Sequence, residues 1–232
     1  GKGKVRAGIF SRQHVITTGI EPSTALFHIR EAKKRKMKVA LFDPNARGDR
    51  NGMATYTKSM DTIFQILNNS RSIHNQSGDL THIFTQNTTG EEQLALDKLS
   101  NVNYIHILAH SASGAQLVRY LMEHRSDLVH KIRSVVFTDS THNIQWVNRD
   151  RKFNHLCSLV QSNASIYIRS SDVIKHCGEE CDCDQFWKHR FGDVETVYAG
   201  TTDHSLTNWA ARSFIWDHFD KQNMANFQRT AI

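Results

Sequence analysis

The fold is decided by the stretch YIHILAHSASGAQLVRYL, which spans residues 104–121. Its first half is a short apolar run typical of a buried strand, and its second half places Leu117 and Tyr120 on one face of a helix. The small residues AHSASG lie between these halves. They fit either a tight strand-to-helix turn, with Ser113 as the helix cap, or a nucleophile elbow that holds Ser111 at the tip of the turn.

The same alternation of strand and helix patterns continues along the chain. We predict strands at 37–45, 104–110, 131–140, 164–172 and 194–200, with helices between them and a first helix over 21–36. This order predicts an α/β fold: a mainly parallel sheet of βαβ units with helices on both faces. A length of 232 residues is typical of one larger α/β domain, so we expect a single domain over 1–232.

Composition limits the classes of partner. The formal net charge is +6, and the densest basic run is REAKKRKMK at 30–38. Cations also suit the end of a solvated helix, and this run lacks the aromatic residues on which bases would stack, so direct nucleic-acid binding is not supported. No apolar stretch approaches the roughly 20 residues that span a bilayer, so we expect no membrane insertion. We expect no cofactor.

Four polar residues follow predicted strands and would meet at the carboxyl edge of the sheet: Ser111, Asp139, Asp172 and His204. A serine hydroxyl becomes a nucleophile when an imidazole takes its proton, and the imidazole needs a carboxylate to orient it. The chain order serine, aspartate, histidine is that of α/β-hydrolases. These four residues are therefore the candidate catalytic residues.

The elbow pattern departs from the usual one. The residues two before and two after the serine are Ala109 and Ser113, where glycine is common, and Gly114 comes one position later. Small residues are needed there because the helix packs closely behind the serine.

Five blocks together resemble the Argonaute-binding-protein-two (Arb-two) domain family. They are GKGKVRAGIFSRQ, VALFDPN, HILAHSASG, VVFTDSTHN and YAGTTDHSLTNW, in this order over nearly the whole chain. The resemblance implies an α/β-hydrolase-like fold. It also implies partners among Argonaute-like or chromatin-associated proteins, with roles in small-RNA silencing, heterochromatin and, in animals, splicing regulation.

Carried over by position, the family's elbow serine is Ser111, its late histidine is His204 and its T-D-S aspartate is Asp139. The acidic residue after the next strand matches Asp172. Two departures are Phe10, where tryptophan is usual, and Ser113, where glycine is usual. The strand that precedes the first block in relatives is absent, so we expect an N-terminally incomplete domain that exposes apolar sheet edge and aggregates.

Two classes of function remain open. The favoured one is an interaction module of silencing, heterochromatin or RNA-processing complexes, located in the nucleus, with the cytoplasm as an additional location. The other is a serine hydrolase of esters, thioesters or amides in which Ser111 attacks, His204 shuttles the proton and Asp172 orients His204, with Asp139 as the competing acid. Its oxyanion hole would use the Ala112 N–H and an amide of residues 1–3.

Two further clusters have structural alternatives. Cys177, Cys181 and Cys183 could ligate zinc, but their spacing is not that of a standard zinc knuckle, so we predict a reduced surface insertion and no metal. His142, in TDSTHN, follows the same strand as Asp139. A role at the site and a purely structural role both fit it.

Overall fold

Four parallel strands form one sheet in the order β1-β2-β3-β4. The computed structural model describes residues 5–42, 60–61, 104–123, 126–145, 147 and 151–230. The strands are β1 (Ile105–His110), β2 (Ile132–Thr138), β3 (Ser165–Arg169) and β4 (Glu195–Tyr198). The parallel order confirms the predicted α/β class.

Helices flank the strands as predicted for βαβ units. They are α1 (Arg12–Thr17), α2 (Ile20–Ser23), α3 (Leu26–Lys34), α4 (Ala112–Glu123), α5 (Asn154–Val160), α6 (Gln185–Phe191), α7 (Thr207–Ala210) and α8 (Arg212–Thr230). Short 3-10 helices occur at Ser126–Lys131, Arg151–Phe153 and His204–Leu206.

Both faces of the sheet are covered by helices, because successive side chains of a strand point to opposite faces. On β2, Val135 and Phe137 pack with apolar residues of α4 and α5, whereas Val136 packs with residues of α8. The first cluster includes the fully buried Tyr120, and the second includes Ile215. The sheet is therefore the middle layer between two hydrophobic cores.

The register brings the carboxyl ends of the strands to one edge. His110 is level with Thr138, Thr138 with Ile168, and Arg169 with Tyr198. Loops that leave these strand ends must begin side by side. This is the edge at which open parallel sheets place their ligands.

Two local predictions are wrong. Residues 37–42 form no strand, and Val39 and Leu41 are each nearly half exposed. The single helix predicted over 21–36 is divided into α2 and α3, because Thr24 is extended and bridges to Ile9. The elements predicted within 43–59 and 62–103 lie outside the described residues.

The basic run at 30–38 is the end of α3, as the composition indicated. Arg30 pairs with Glu21, Lys34 with Glu31, and Arg35 with both Glu31 and Asp220. Acidic partners therefore neutralise part of this charge. Within the described ranges no helix combines the length and apolarity that crossing a bilayer requires.

Candidate functional site

Ser111 lies at a strained turn directly after β1. Its φ is +55°, a left-handed value that is uncommon for residues other than glycine. The Ser111 N–H donates to the Thr138 carbonyl at 2.9 Å, and the Ser111 carbonyl accepts from Thr141 N at 3.1 Å. A serine held in such a conformation between strand and helix is the backbone feature of a nucleophile elbow.

The close packing that an elbow needs is provided by Gly114. A Cβ placed on Gly114 would lie 1.9 Å from Ser140 Oγ and 3.2 Å from a ring carbon of Phe137. The glycine requirement is thus met one position later than the usual pattern has it. Ser113 lies inside α4 and its hydroxyl donates to the His110 carbonyl, so the prediction that Ser113 caps the helix is wrong.

Asp139 and His204 form a hydrogen-bonded pair at the carboxyl edge. His204 Nδ1 is 3.2 Å from Asp139 Oδ2, and Thr207 Oγ1 donates to the same oxygen at 2.5 Å. The other carboxylate oxygen accepts from Ser170 N at 2.8 Å. Asp139 itself has a φ of +42°, which indicates that the surrounding contacts fix its position.

The carboxylate of Asp139 is held in its charged form. Burial alone would raise its pKa, but the hydrogen bonds from His204, Thr207 and Ser170 outweigh burial and hold the pKa of Asp139 below its ordinary value. A carboxylate oxygen only accepts, so the proton of a neutral His204 ring lies on Nδ1. Nε2 of His204 is therefore the nitrogen available as a base.

The structure pairs His204 with Asp139 and not with Asp172, contrary to the expectation from the sequence. Asp172 is exposed, and its carboxylate forms no hydrogen bond or ion pair within the described part of the chain. Asp139 follows β2 directly, whereas Asp172 comes three residues after β3, beyond the point where Ser171 N binds the Thr201 carbonyl. Which carboxylate would serve a reaction stays a prediction.

Ser111 and His204 are not joined. Both residues are described, and no hydrogen bond links their side chains; Ser111 is 5% exposed and the His204 side chain 50%. The His204 ring instead stacks on His110, with ring centroids 4.8 Å apart. Burial, together with the nearby His204, lowers the pKa of His110 to about 3, so His110 is neutral at neutral pH.

One part of the predicted oxyanion hole can be described. The Ala112 N–H, at the start of α4, makes no hydrogen bond to any described residue. It is a free donor next to Ser111, as acyl-transfer chemistry requires. Residues 1–3, which were expected to supply the second amide, lie outside the described residues.

His142 is a core residue. It is fully buried, and its ring stacks on the Phe137 ring with centroids 4.0 Å apart. Its Nδ1 lies 2.8 Å from Ser140 Oγ, and its Nε2 lies 3.1 Å from the Phe191 carbonyl oxygen. A carbonyl only accepts, so Nε2 carries the proton and Nδ1 accepts from Ser140. Burial lowers the pKa of His142 to about 4. Both ring nitrogens are occupied, which favours the structural role.

Two of the three thiols in the cysteine cluster are favoured in their neutral form, because burial raises the pKa of Cys177 and of Cys183. Cys181 Sγ donates to Tyr198 Oη at 3.4 Å, and burial beside Cys181 raises the pKa of Cys183 to about 11. Zinc binds thiolates, which these surroundings disfavour. No group of three or more ligating side chains in the described ranges has the geometry to hold a metal ion.

Sequence reasoning missed Thr207 and His110. Thr207 is fully buried and donates its hydroxyl proton to the Asp139 carboxylate, and the His204 carbonyl lies 3.0 Å from the same hydroxyl oxygen. The sequence signal for Thr207 was its position three residues after His204, because residues three apart on a helical turn lie on the same face. No sequence pattern indicates that the rings of His110 and His204 stack.

Replacing Thr207 with valine should raise the pKa of Asp139 by about one unit, because one hydrogen bond to the charged form is lost while the side-chain shape is kept. The measurement is a carboxyl ¹³C titration by NMR, with Ser205→Ala as the matched control. An unchanged Asp139 pKa in a folded Thr207→Val protein would show that this hydroxyl does not hold the carboxylate.

Three comparisons with known proteins place this geometry in context. A family model described as "Arb2 domain" matches residues 1–172, a range that ends before His204. A "Cotranscriptional regulator ARB2A homolog" of Xenopus tropicalis is 22% identical over 99% of this chain and 58% of its own length. The "Cotranscriptional regulator ARB2A" of Mus musculus is 21% identical over 97% of this chain and 58% of its own length. The chain therefore spans somewhat more than half the length of these relatives. No solved structure matches it.

Proposed function

Because the chain belongs to the Arb2 domain family, we propose that it is a regulatory domain that assembles with partner proteins to control gene expression. The observation that carries the proposal is its similarity, along almost its full length, to relatives named as cotranscriptional regulators. The proposed location is the nucleus, and the proposed partners are Argonaute-like or chromatin-associated proteins. The domain is proposed to extend over 1–232 with an α/β-hydrolase-like architecture.

The geometry of the site supports a binding role over catalysis. A serine hydrolase needs its serine within hydrogen-bonding reach of the histidine, roughly 2.6–3.2 Å, although the distance is often looser without substrate. Here the His204 ring is stacked on His110, and no hydrogen bond joins this ring to the Ser111 hydroxyl. The Asp139–His204 pair, with Thr207 and Ser170, instead links the loops after β2, β3 and β4.

The proposal is tested by separating the partner-binding function from the chemistry of Ser111. Cells that lack the full-length protein would be complemented with the wild type or with Ser111→Ala, and nascent transcripts and co-purifying Argonaute or chromatin proteins would be measured. We expect Ser111→Ala to restore both readouts as fully as the wild type does. A folded Ser111→Ala protein that keeps its partners but fails to restore transcript levels would contradict the proposal.

A second candidate, a serine hydrolase, is favoured by two observations: the φ of +55° at Ser111 and the Asp139–His204 hydrogen bond. In this reading Ser111 is the nucleophile, His204 Nε2 is the base after a ring movement, and Asp139 orients the ring. The Ala112 N–H would stabilise the developing oxyanion.

Fluorophosphonate labelling distinguishes the two candidates. We expect no labelling of Ser111 in the folded protein, because the base does not reach the hydroxyl. Mass spectrometry of the labelled peptide gives the measurement, and Ser111→Ala gives the background. Labelling that is lost in Asp139→Asn and kept in the matched variant Asp172→Asn would establish the hydrolase and assign its acid.

A further inference from the structure

The segment that carries Cys181 and Cys183 runs antiparallel along the outer edge of β4. Tyr198 N donates to the Glu179 carbonyl at 2.9 Å, and Cys181 N donates to the Thr196 carbonyl at 2.9 Å. Neither a helix nor a turn is present from Cys181 to Cys183. In an extended chain, residues two apart point to the same side, with their Cα atoms roughly 6.6 Å apart. Disulfides bridge Cα separations of about 4.4–6.8 Å, so a bond between these two cysteines is within reach.

The Cys181 and Cys183 side chains interact directly. Burial and the side-chain contact with Cys181 raise the pKa of Cys183 to about 11. Both residues are half-buried, which leaves them accessible to a small reagent. Cys177 instead precedes a turn in which Gly178 has a φ of +84°, and a Cβ placed on Gly200 would lie 3.1 Å from Cys177 Cβ. The neighbour of Cys181 is therefore Cys183 and not Cys177.

Cys181 differs from the other two cysteines in its polar contacts. Its Sγ lies 3.4 Å from Tyr198 Oη and 3.9 Å from a guanidinium nitrogen of Arg169. The contact with Cys181 also raises the pKa of Tyr198, so this phenol keeps a proton that it can donate. A cation and a hydroxyl donor both favour a negatively charged sulfur, and the thiolate is the form that acts as a nucleophile. Cys181 is therefore the sulfur that reacts first.

We propose that Cys181 and Cys183 are a redox modification site that forms a reversible disulfide with a hydroperoxide as the oxidant. The Cys181 sulfur attacks one oxygen of hydrogen peroxide and the O–O bond breaks, which gives a sulfenic acid and a hydroxide that takes up the Cys181 proton. The Cys183 sulfur then attacks the Cys181 sulfur, and the S–O bond breaks as water leaves with the Cys183 proton. The two sulfurs lose two electrons, which the peroxide gains. This reaction needs neither Ser111 nor a partner protein.

The bond would respond to changing redox conditions. A Cα separation near the upper limit for a disulfide makes the bond easier to reduce, and an exposed bond exchanges with thiols such as glutathione. Oxidation also removes the S–H group and the charge from Cys181. Tyr198 and Arg169 then lose this partner, which changes the polar groups presented beside β4.

The test treats the purified, reduced protein with one equivalent of hydrogen peroxide. We expect the thiols counted under denaturing conditions to fall from four to two per chain. Cleavage after Glu180 places Cys181 and Cys183 in one peptide and Cys177 in another. Mass spectrometry without reduction should find the first peptide lighter by two hydrogens and the second unchanged. Glutathione should restore four thiols.

Substitutions assign the two sulfurs. Cys183→Ser should stop at a sulfenic acid on Cys181 that dimedone traps, and Cys181→Ser should form no disulfide. The matched control Cys177→Ser should form the disulfide as the wild type does. The proposal is overturned if the peptide keeps both thiols, if Cys181 pairs with Cys177 or with a second chain, or if Cys177→Ser prevents the disulfide as fully as Cys183→Ser does.

Arg169→Gln tests the origin of the reactivity. A charge at this distance in water changes the thiolate population about fivefold, and the lower nucleophilicity of a stabilised thiolate offsets part of that gain. We therefore expect oxidation at pH 7 to slow about two- to threefold. Arg133→Gln, the same change at the opposite edge of the sheet, should keep the wild-type rate. Equal rates in the wild type and Arg169→Gln would contradict the role of the guanidinium.

Discussion

Lowering the pH from 7 to 5 should cost the folded protein about 4 kcal/mol of stability through His110 and His142. His28, whose pKa is lowered by burial to about 4, adds to this loss. His110 and His142 are 6% and 0% exposed, and burial lowers their pKa values to about 3 and about 4. In the unfolded chain both rings titrate near pH 6.5. At pH 5 both rings therefore stay neutral in the folded protein, whereas in the unfolded chain both rings are protonated.

The sign and size follow from proton linkage. Below pH 6.5 the unfolded chain binds more protons than the folded protein, so stability falls as the pH falls, until the folded pKa values are reached. At pH 5 each ring costs about 2 kcal/mol, since 1.36 kcal/mol corresponds to one pH unit of difference. Asp139 adds little over this range, because its pKa is held below its ordinary value and it stays ionised in both states.

Urea unfolding at a series of pH values measures this loss. His142→Gln should lower the stability at pH 7, because Ser140 and the Phe191 carbonyl lose their partner, and should reduce the pH-dependent loss by about 2 kcal/mol. His155→Gln changes an exposed histidine of α5 and should keep the wild-type pH dependence. Equal pH dependence in the wild type and His142→Gln would contradict the prediction.

Gly114→Ala should destabilise the protein by about 3 kcal/mol, although alanine ordinarily favours a helix over glycine by about 1 kcal/mol. The new methyl would overlap Ser140 Oγ at 1.9 Å and crowd Ser140 Cβ at 2.9 Å. Rotating Ser140 away would break its hydrogen bond to His142, and shifting its main chain would disturb the carbonyl that accepts from Tyr167. Either movement that relieves this overlap therefore weakens a hydrogen bond and lowers the stability of the folded protein.

For a chain of this size the loss corresponds to a fall in Tm of about 6–12 °C. Differential scanning calorimetry gives the value, and Ser213→Ala is the control because it introduces the same residue at an exposed position of α8. We expect Ser213→Ala to leave Tm the same or slightly higher. A Gly114→Ala protein that melts at or above the wild-type temperature would show that α4 can move away from the sheet.

The sheet and its long helices were predictable because their signals are local. The apolar runs before His110, Thr138 and Arg169 are short and end in polar or small residues, which indicates buried strands in any context. The segment 37–42 carries a similar run and forms no strand, because strand formation depends on a hydrogen-bonding neighbour that a local pattern does not supply.

The edge of the sheet at which the candidate site lies was predictable from the sequence, but the hydrogen-bond partners within the site were not. The strand ends placed Asp139, Asp172 and His204 on one edge, which the parallel register confirms. Which carboxylate meets the imidazole depends on where the 3-10 turn His204–Leu206 lies, and no periodicity encodes that position. The N-cap bond from Ser205 N to Asp203 and the contact of Thr207 with Asp139 fix this turn.

Helix α8 also sets the order in which the domain can be completed during synthesis. Its side chains meet Arg35 of the first segment, His106 of β1 and the Ala164 carbonyl before β3, across sequence separations of 185, 117 and 54 residues. Contacts between residues so far apart form late, because the intervening chain must first be ordered. We therefore expect the core between α8 and the sheet to stay open on the ribosome until residue 223 has emerged, so that nascent chains depend on chaperones until then.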